Sequence, residues 1–248
     1  MPGILQAVID FLVDERCHAC RAPIPSRLGL PLPGHPALVA LDDPVATAGL
    51  ARWRFRTRLL CRACLARLEP CTRAVVVGRG HDTLEILPAF ATDSRLLALI
   101  HLLKFDRREC VAPWLARAMA VGLPARARGA GIVLAPVPMD AASRRRRGFN
   151  QAESISRALA RRWGLPLVRG AVEKPAATGA QSLLGREARE RNLRGAFRPG
   201  RGAVRLAGRR VVLVDDLVTT GATARACARV LRGAGAAEVR VVCAGYRR

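Results

Sequence analysis

The sequence predicts an α/β fold: a parallel sheet with helices on both faces, preceded by a small N-terminal metal-binding unit. Three observations carry this expectation. From about Pro88 onward, short runs of β-formers alternate with helical patterns, as in strands joined by crossover helices. Near the C-terminus, Val211-Val212-Leu213-Val214-Asp215-Asp216-Leu217-Val218-Thr219-Thr220-Gly221-Ala222-Thr223 reads as a strand buried on both faces, an acidic pair, and a turn opening an Ala-rich helix that runs to about Arg232. Near the N-terminus, Cys17-His18-Ala19-Cys20 and Cys61-Arg62-Ala63-Cys64 are two Cys-x-x-Cys knuckles, each presenting two thiolates from one tight turn.

Taken in order, Ile4 to Val13 is a short apolar segment with no basic residue before it and no small-residue cleavage site, so it reads as an amphipathic helix rather than a signal peptide. No stretch reaches the ~20 apolar residues of a membrane span, and a cytoplasmic location is expected. Cysteines paired at this spacing in a reducing compartment point to metal, and Cys17, Cys20, Cys61 and Cys64 are expected to form a closed structural zinc site. Such a site leaves no open coordination position for catalysis. The interval Arg21 to Leu60 contains Pro23, Pro25, Pro31, Pro33, Pro36 and Pro44 and reads as a looped-out insertion. Cys71 stands without a knuckle partner, since Ala74 occupies the matching position, while Cys110, Cys227 and Cys243 read as buried small hydrophobes.

Beyond residue 86 the second domain, 87–248, is expected to follow the N-terminal unit 1–86. Asp93 or Ser94 can cap a helix with Leu96, Leu97, Leu99, Ile100, Leu102 and Leu103 on its apolar face, ending at Lys104-Phe105. A second helix is expected near Ala112 to Val121, a strand at Ile132 to Ala135, a helix to about Trp163, and another near Gly185 to Leu193. Short strands are expected at Leu167-Val168 and at Val239 to Cys243.

Half of the 248 residues are apolar, enough for a substantial core, so disorder throughout is excluded. The 42 basic residues against 19 acidic ones give a formal charge of +23, and Lys104 and Lys174 are the only lysines. An arginine excess of this size suits polyanionic partners: nucleic acid, pyrophosphates or an anionic membrane surface.

The strand-to-helix turn at Thr219 to Thr223 has the chemistry of a phosphate cradle. Free backbone N–H groups and the positive end of the helix dipole converge there, Gly221 admits close approach of an anion, and Thr219, Thr220 and Thr223 add hydroxyl donors. Asp215 and Asp216 stand where the strand emerges, placed to accept hydrogen bonds from vicinal hydroxyls or to help hold a divalent cation.

This string resembles the ribose-5-phosphate signature of type I phosphoribosyltransferases, whose acidic pair binds the ribose hydroxyls of 5-phosphoribosyl-1-pyrophosphate (PRPP) and whose Thr-Gly loop wraps the 5-phosphate. Together with the cysteine knuckles, Leu102-Leu103-Lys104-Phe105, Val137-Pro138-Met139, Arg147-Gly148-Phe149-Asn150-Gln151 and Arg191-Asn192, it resembles the ComF family of competence-type proteins over nearly the whole chain. The resemblance implies an N-terminal zinc ribbon joined to a Rossmann-like, phosphoribosyltransferase-like core. It implies that Asp215, Asp216 and Arg147 serve the transfer, and that Thr219, Thr220, Gly221, Ala222 and Thr223 hold the 5-phosphate. Val137, Pro138 and Met139 would then form the pyrophosphate loop, with Lys104, Arg191 and Asn192 near the crevice. Ser143 to Arg147, with Arg144, Arg145 and Arg146, would be a mobile loop closing over pyrophosphate with Mg²⁺. A link to DNA uptake and a competence or helicase-type protein partner are also implied.

Two functions stay open at this point. One is a PRPP or nucleotide-binding protein that transfers phosphoribosyl to an acceptor the sequence does not identify. The other is a non-catalytic accessory factor for single-stranded DNA with a relic PRPP site. In the second, Arg144 to Arg147 would contact DNA phosphates and PRPP would compete for them.

Overall fold

The apolar run ahead of the acidic pair lies inside a five-stranded sheet. The structure is a computed structural model that describes residues 16–22, 59–60, 62–105, 109, 111–175 and 195–247, without the side chains of Arg62 and Leu65. The helices expected at Ile4 to Val13 and Gly185 to Leu193, most of the Arg21 to Leu60 insertion, and Cys61, Cys110, Arg191 and Asn192 lie outside the described residues.

The sheet strands are β1 (Val75–Val77), β2 (Leu84–Phe90), β3 (Ile132–Pro136), β6 (Arg210–Val218) and β7 (Glu238–Tyr246), in the order β1-β2-β7-β6-β3. β1 runs antiparallel to β2, and the other pairings are parallel. The carboxyl ends of β2, β3, β6 and β7 therefore share one edge. Two further strands, β4 (Val172–Glu173) and β5 (Arg198–Pro199), form a separate antiparallel ribbon.

Strict alternation along the strands serves two cores. Val212, Val214, Val242 and Leu134 face one side and pack with α2 (Ser94–Phe105), α3 (Val111–Gly122) and α5 (Gln151–Trp163). Val211, Leu213, Val241 and Val133 face the other, against α6 (Ala222–Gly233). Both faces are covered, which is why these strands read as continuous apolar runs rather than alternating ones.

The sheet also takes in chain from Val75, so the expected boundary between residues 86 and 87 falls inside β2. The Val75 and Leu84 runs are joined by a turn at Gly78 to Thr83 that α6 grips: Arg225 and Arg229 pair with Asp82 at 2.8 and 2.7 Å, and Arg232 donates to the Thr83 carbonyl at 2.7 Å. These guanidiniums hold the Asp82 carboxyl below the usual carboxylate range against the opposing effect of burial. Expected strand Leu167-Val168 is reduced to a single bridge from Leu167 to Leu134. The first described helix, α1 (Arg62–Ala66), carries Cys64.

Asp93 is the residue that starts α2. Its Oδ1 accepts from the Arg95 and Leu96 N–H groups, both at 2.9 Å, satisfying donors that the first helical turn leaves open. Asp93→Ala should cost about 1 kcal/mol. Urea unfolding of the full chain measures this, and an unchanged midpoint would remove the cap from the account.

Candidate functional site

At the carboxyl edge, β6 and β3 are neighbours, and their register brings the acidic pair beside the Val-Pro-Met segment. Pro136 pairs with Val214, and the Val137 N–H donates to the Val214 carbonyl at 2.9 Å. The Asn150 side chain donates to the Val137 carbonyl at 3.0 Å while its oxygen caps α5 through the Ala152 N–H. Asn150 thus fastens the loop to the start of a helix. The sequence placed Asn150 only in a motif leading into a helix, and the fold reveals that it both caps that helix and clamps Val137.

Asp216 is buried, with 4% of its surface exposed, and Lys104 from the last turn of α2 reaches it at 3.0 Å. Asp215 is partly buried beside it, and its side chain accepts the Asp216 N–H at 2.9 Å. Loss of water around Asp215 and the charge of Asp216 raise its pKa to about 7, although the Asp216 N–H and Lys104 pull the other way. The site therefore pairs one carboxyl group with a lysine and holds the second well above the ordinary carboxylate range. Two thiols below them, Cys227 and Cys243, are fully buried, and desolvation first and the Asp215 charge second push both upward, leaving them inert.

The turn after β6 has the form its sequence suggests. Gly221 is left-handed at φ 73 and sits at the N-terminus of the 12-residue α6. A Cβ there would lie 2.9 Å from Val77 Cγ2, so glycine meets both a backbone and a packing demand. Thr219, Thr220 and Thr223 are exposed, and Thr220 Oγ1 accepts the Ala222 N–H at 3.3 Å.

The arginine run is not a loop. Ala141–Arg147 is a helix, α4, capped by Asp140, which accepts from Ser143 N at 2.8 Å, and closed by Gly148 at φ 85. That backbone hydrogen bond from Ser143, ahead of Lys174, holds Asp140 below the usual carboxylate range. Arg144 is turned to the buried Glu153 at 3.6 Å, which Arg157 at 3.4 Å and Arg169 also approach. Arg147 faces the other way. Its guanidinium lies 5.7 Å from the Phe105 ring centroid and donates to Gln151 Oε1 at 3.4 Å, while Gln151 donates to the Leu103 carbonyl at 3.4 Å. Arg147 is thereby joined to the same end of α2 that carries Lys104. Arg145 and Arg146 are exposed on α4.

The cysteine centre lies elsewhere. The sulfurs of Cys17, Cys20 and Cys64 come within 4.8 Å of one another, compatible with one tetrahedral ion whose ~2.3 Å metal–sulfur bonds place sulfurs near 3.8 Å apart. They are a set that could hold zinc. Cys71 is not in this group; its Sγ contacts the Arg73 carbonyl at 3.5 Å. Arg95, held charged by Asp93 foremost, also hydrogen-bonds Cys64 and ties the cluster to α2.

Among the described residues no helix is long and apolar enough to cross a membrane. The family model described as "Phosphoribosyl transferase domain" matches residues 145–248, a span that contains the acidic pair and the glycine turn after β6. DNA utilization protein YhgH of Escherichia coli K12 is 35% identical over 191 residues, covering 75% of this chain and 78% of that protein. Competence protein F of Haemophilus influenzae is 29% identical over 185 residues, covering 73% and 76%. With a phosphoribosyltransferase-type domain behind an N-terminal cysteine cluster, and with this identity across three quarters of its length, the chain belongs to the ComF family that includes YhgH and competence protein F.

Proposed function

We propose that this protein binds PRPP or a nucleoside 5-phosphate at the carboxyl edge of its sheet, and that it transfers the phosphoribosyl group in a DNA-handling context. The observation that carries the reading is the Asp215–Asp216–Lys104 arrangement next to an open helix N-terminus, because it combines acceptors for sugar hydroxyls with donors for phosphate. Asp215 and Asp216 would accept from the ribose hydroxyls. Thr219, Thr220 and Thr223 and the N–H groups of the turn would hold the 5-phosphate. The Val137-Pro138-Met139 backbone and Arg147 would meet the pyrophosphate, and Lys104 would exchange its partner from Asp216 to the incoming anion. Mg²⁺ bound with PRPP would neutralise part of the leaving group's charge. In transfer, the C1–oxygen bond to pyrophosphate breaks as the acceptor forms its bond to C1, and the residues here orient the sugar and stabilise departing charge. The DNA context rests on the names of the relatives.

Calorimetry with Mg–PRPP tests binding, and pyrophosphate release across a panel of bases and amines tests transfer. The pH response is specific. Sugar hydroxyls and Mg²⁺ both favour ionised Asp215, so a proton bound near pH 7 must leave when the ligand enters. Affinity should rise about tenfold from pH 6 to pH 8, because the ionised fraction of a group titrating at about 7 rises about tenfold across that interval. Asp215→Asn supplies the slope due to the ligand's own phosphates; an identical slope in wild type would sink the assignment. In the free protein the sign is opposite. Between the ordinary carboxylate pKa and about 7 the native state holds a proton that the unfolded chain does not, so lowering the pH through that window favours the fold at Asp215.

A further inference from the structure

We propose that the cleft at the amino edge of the sheet is a second site, which takes a nucleotide unit of a single-stranded nucleic acid. The cleft measures about 480 Å³, within the range of small-ligand sites. It opens between the Gly129 to Gly131 turn that leads into β3, the end of α5 at Trp163, and Arg209 just ahead of β6. Its wall combines one aromatic plane with cations. Trp163 is half-buried, Leu165 and Ile132 are apolar neighbours, and Arg128 and Arg209 are exposed at the rim. Arg161 and Arg162 are exposed in the residues just before Trp163, and among the described residues no Asp or Glu lines the cleft. A flat indole beside guanidiniums, with no acid to repel phosphate, is the combination that holds a base and its backbone in sequence-tolerant single-strand binding.

The location separates this site from the carboxyl edge. Arg209 and Asp215 are six positions apart along β6, about 20 Å at the rise of a strand. A strand seated at the cleft therefore leaves the acidic pair open. In the arginine run on α4, expected from sequence to contact DNA, Arg144 pairs with Glu153 and Arg147 lies beside Gln151 and Phe105, at the carboxyl-edge site rather than at the cleft. The two sites should bind independently rather than compete.

The test uses the full chain and a labelled oligothymidylate, read by fluorescence anisotropy across a salt series. Arg128→Ser with Arg209→Ser changes two exposed residues, so folding stays intact. Strand affinity should fall at least tenfold, and the salt slope should shrink by about 1.4, two phosphates at about 0.7 each. Trp163→Leu should weaken binding with the slope unchanged. Mg–PRPP should not displace the strand, and Asp215→Asn with Asp216→Asn should leave strand binding unaltered. PRPP calorimetry on the arginine variant is read separately, so loss of the carboxyl-edge reading does not touch this one. Displacement by thymidine 5-monophosphate would assign the cleft to a free nucleotide as well as to a strand, and its failure to displace would assign it to the strand alone. Wild-type affinity in the arginine variant, no strand binding at all, or displacement by PRPP would overturn the proposal.

Discussion

Asp215→Asn with Asp216→Asn should nearly abolish PRPP binding while leaving the unliganded protein as stable as before, or more so. Asparagine keeps the size and one acceptor oxygen but removes the charge that strengthens each hydrogen bond to a ribose hydroxyl. Each charge-assisted bond lost costs about 1.5–3 kcal/mol, or roughly ten- to a hundredfold in affinity. The fold responds in the opposite direction because the native site places two carboxylates side by side with little water, and the raised Asp215 pKa records that cost. Lys104 loses its partner, but with 22% of its side chain exposed it can turn toward solvent. Calorimetry and thermal unfolding on the same preparation separate the two effects. Equal PRPP affinity in wild type and variant would remove the acidic pair from the site.

The second large effect concerns metal. Zinc analysis should find about one ion per chain, lost in Cys64→Ser and retained in Cys71→Ser, because Cys71 stands outside the sulfur cluster. Metal binding to such sites contributes an apparent ~10–16 kcal/mol that is also folding free energy. The consequences should spread beyond the cysteines: Cys17, Cys64, Leu59, Leu60 and Leu68 are buried in the same core cluster as Leu87, Phe90 and Leu96. The unfolding midpoint of Cys64→Ser should therefore fall sharply, and PRPP binding should weaken with it through α2. A wild type that is folded and free of metal would end this account.

Local pattern was enough for much of the α/β character of this chain. The Val211 to Val214 run, the acidic pair, the glycine turn and the Ala-rich helix are contiguous, and their periodicity and turn chemistry are local properties. The cap of α2 at Asp93 and the start of α5 at Asn150 are also local, since a cap acts within three residues of itself. Where the signals were short they failed. Val75 to Val77 is three residues long, Leu167-Val168 is two, and each depends on the neighbour it finds. The arginine run was expected to be a loop because the family resemblance implied one, and the structure makes it a helix. What stabilises it as a helix is Asp140 at one end, Gly148 at the other, and a buried Glu153 that is nine residues from Arg144.

By itself, then, the amino-acid sequence marked the residues proposed here to carry the chemistry of sugar, phosphate and metal, because those groups come as contiguous motifs. Tertiary structure alone decided which of them meet. Lys104 and Asp216 are more than a hundred positions apart, and only the packing of α2 against β6 puts 3.0 Å between them. Likewise Arg128, Trp163 and Arg209 come together only because β3 and β6 are neighbours and α5 ends over their starts. Periodicity and capping are encoded within one helix or strand, whereas strand order and helix packing are set by burying two faces of one sheet at once. No single segment carries that information.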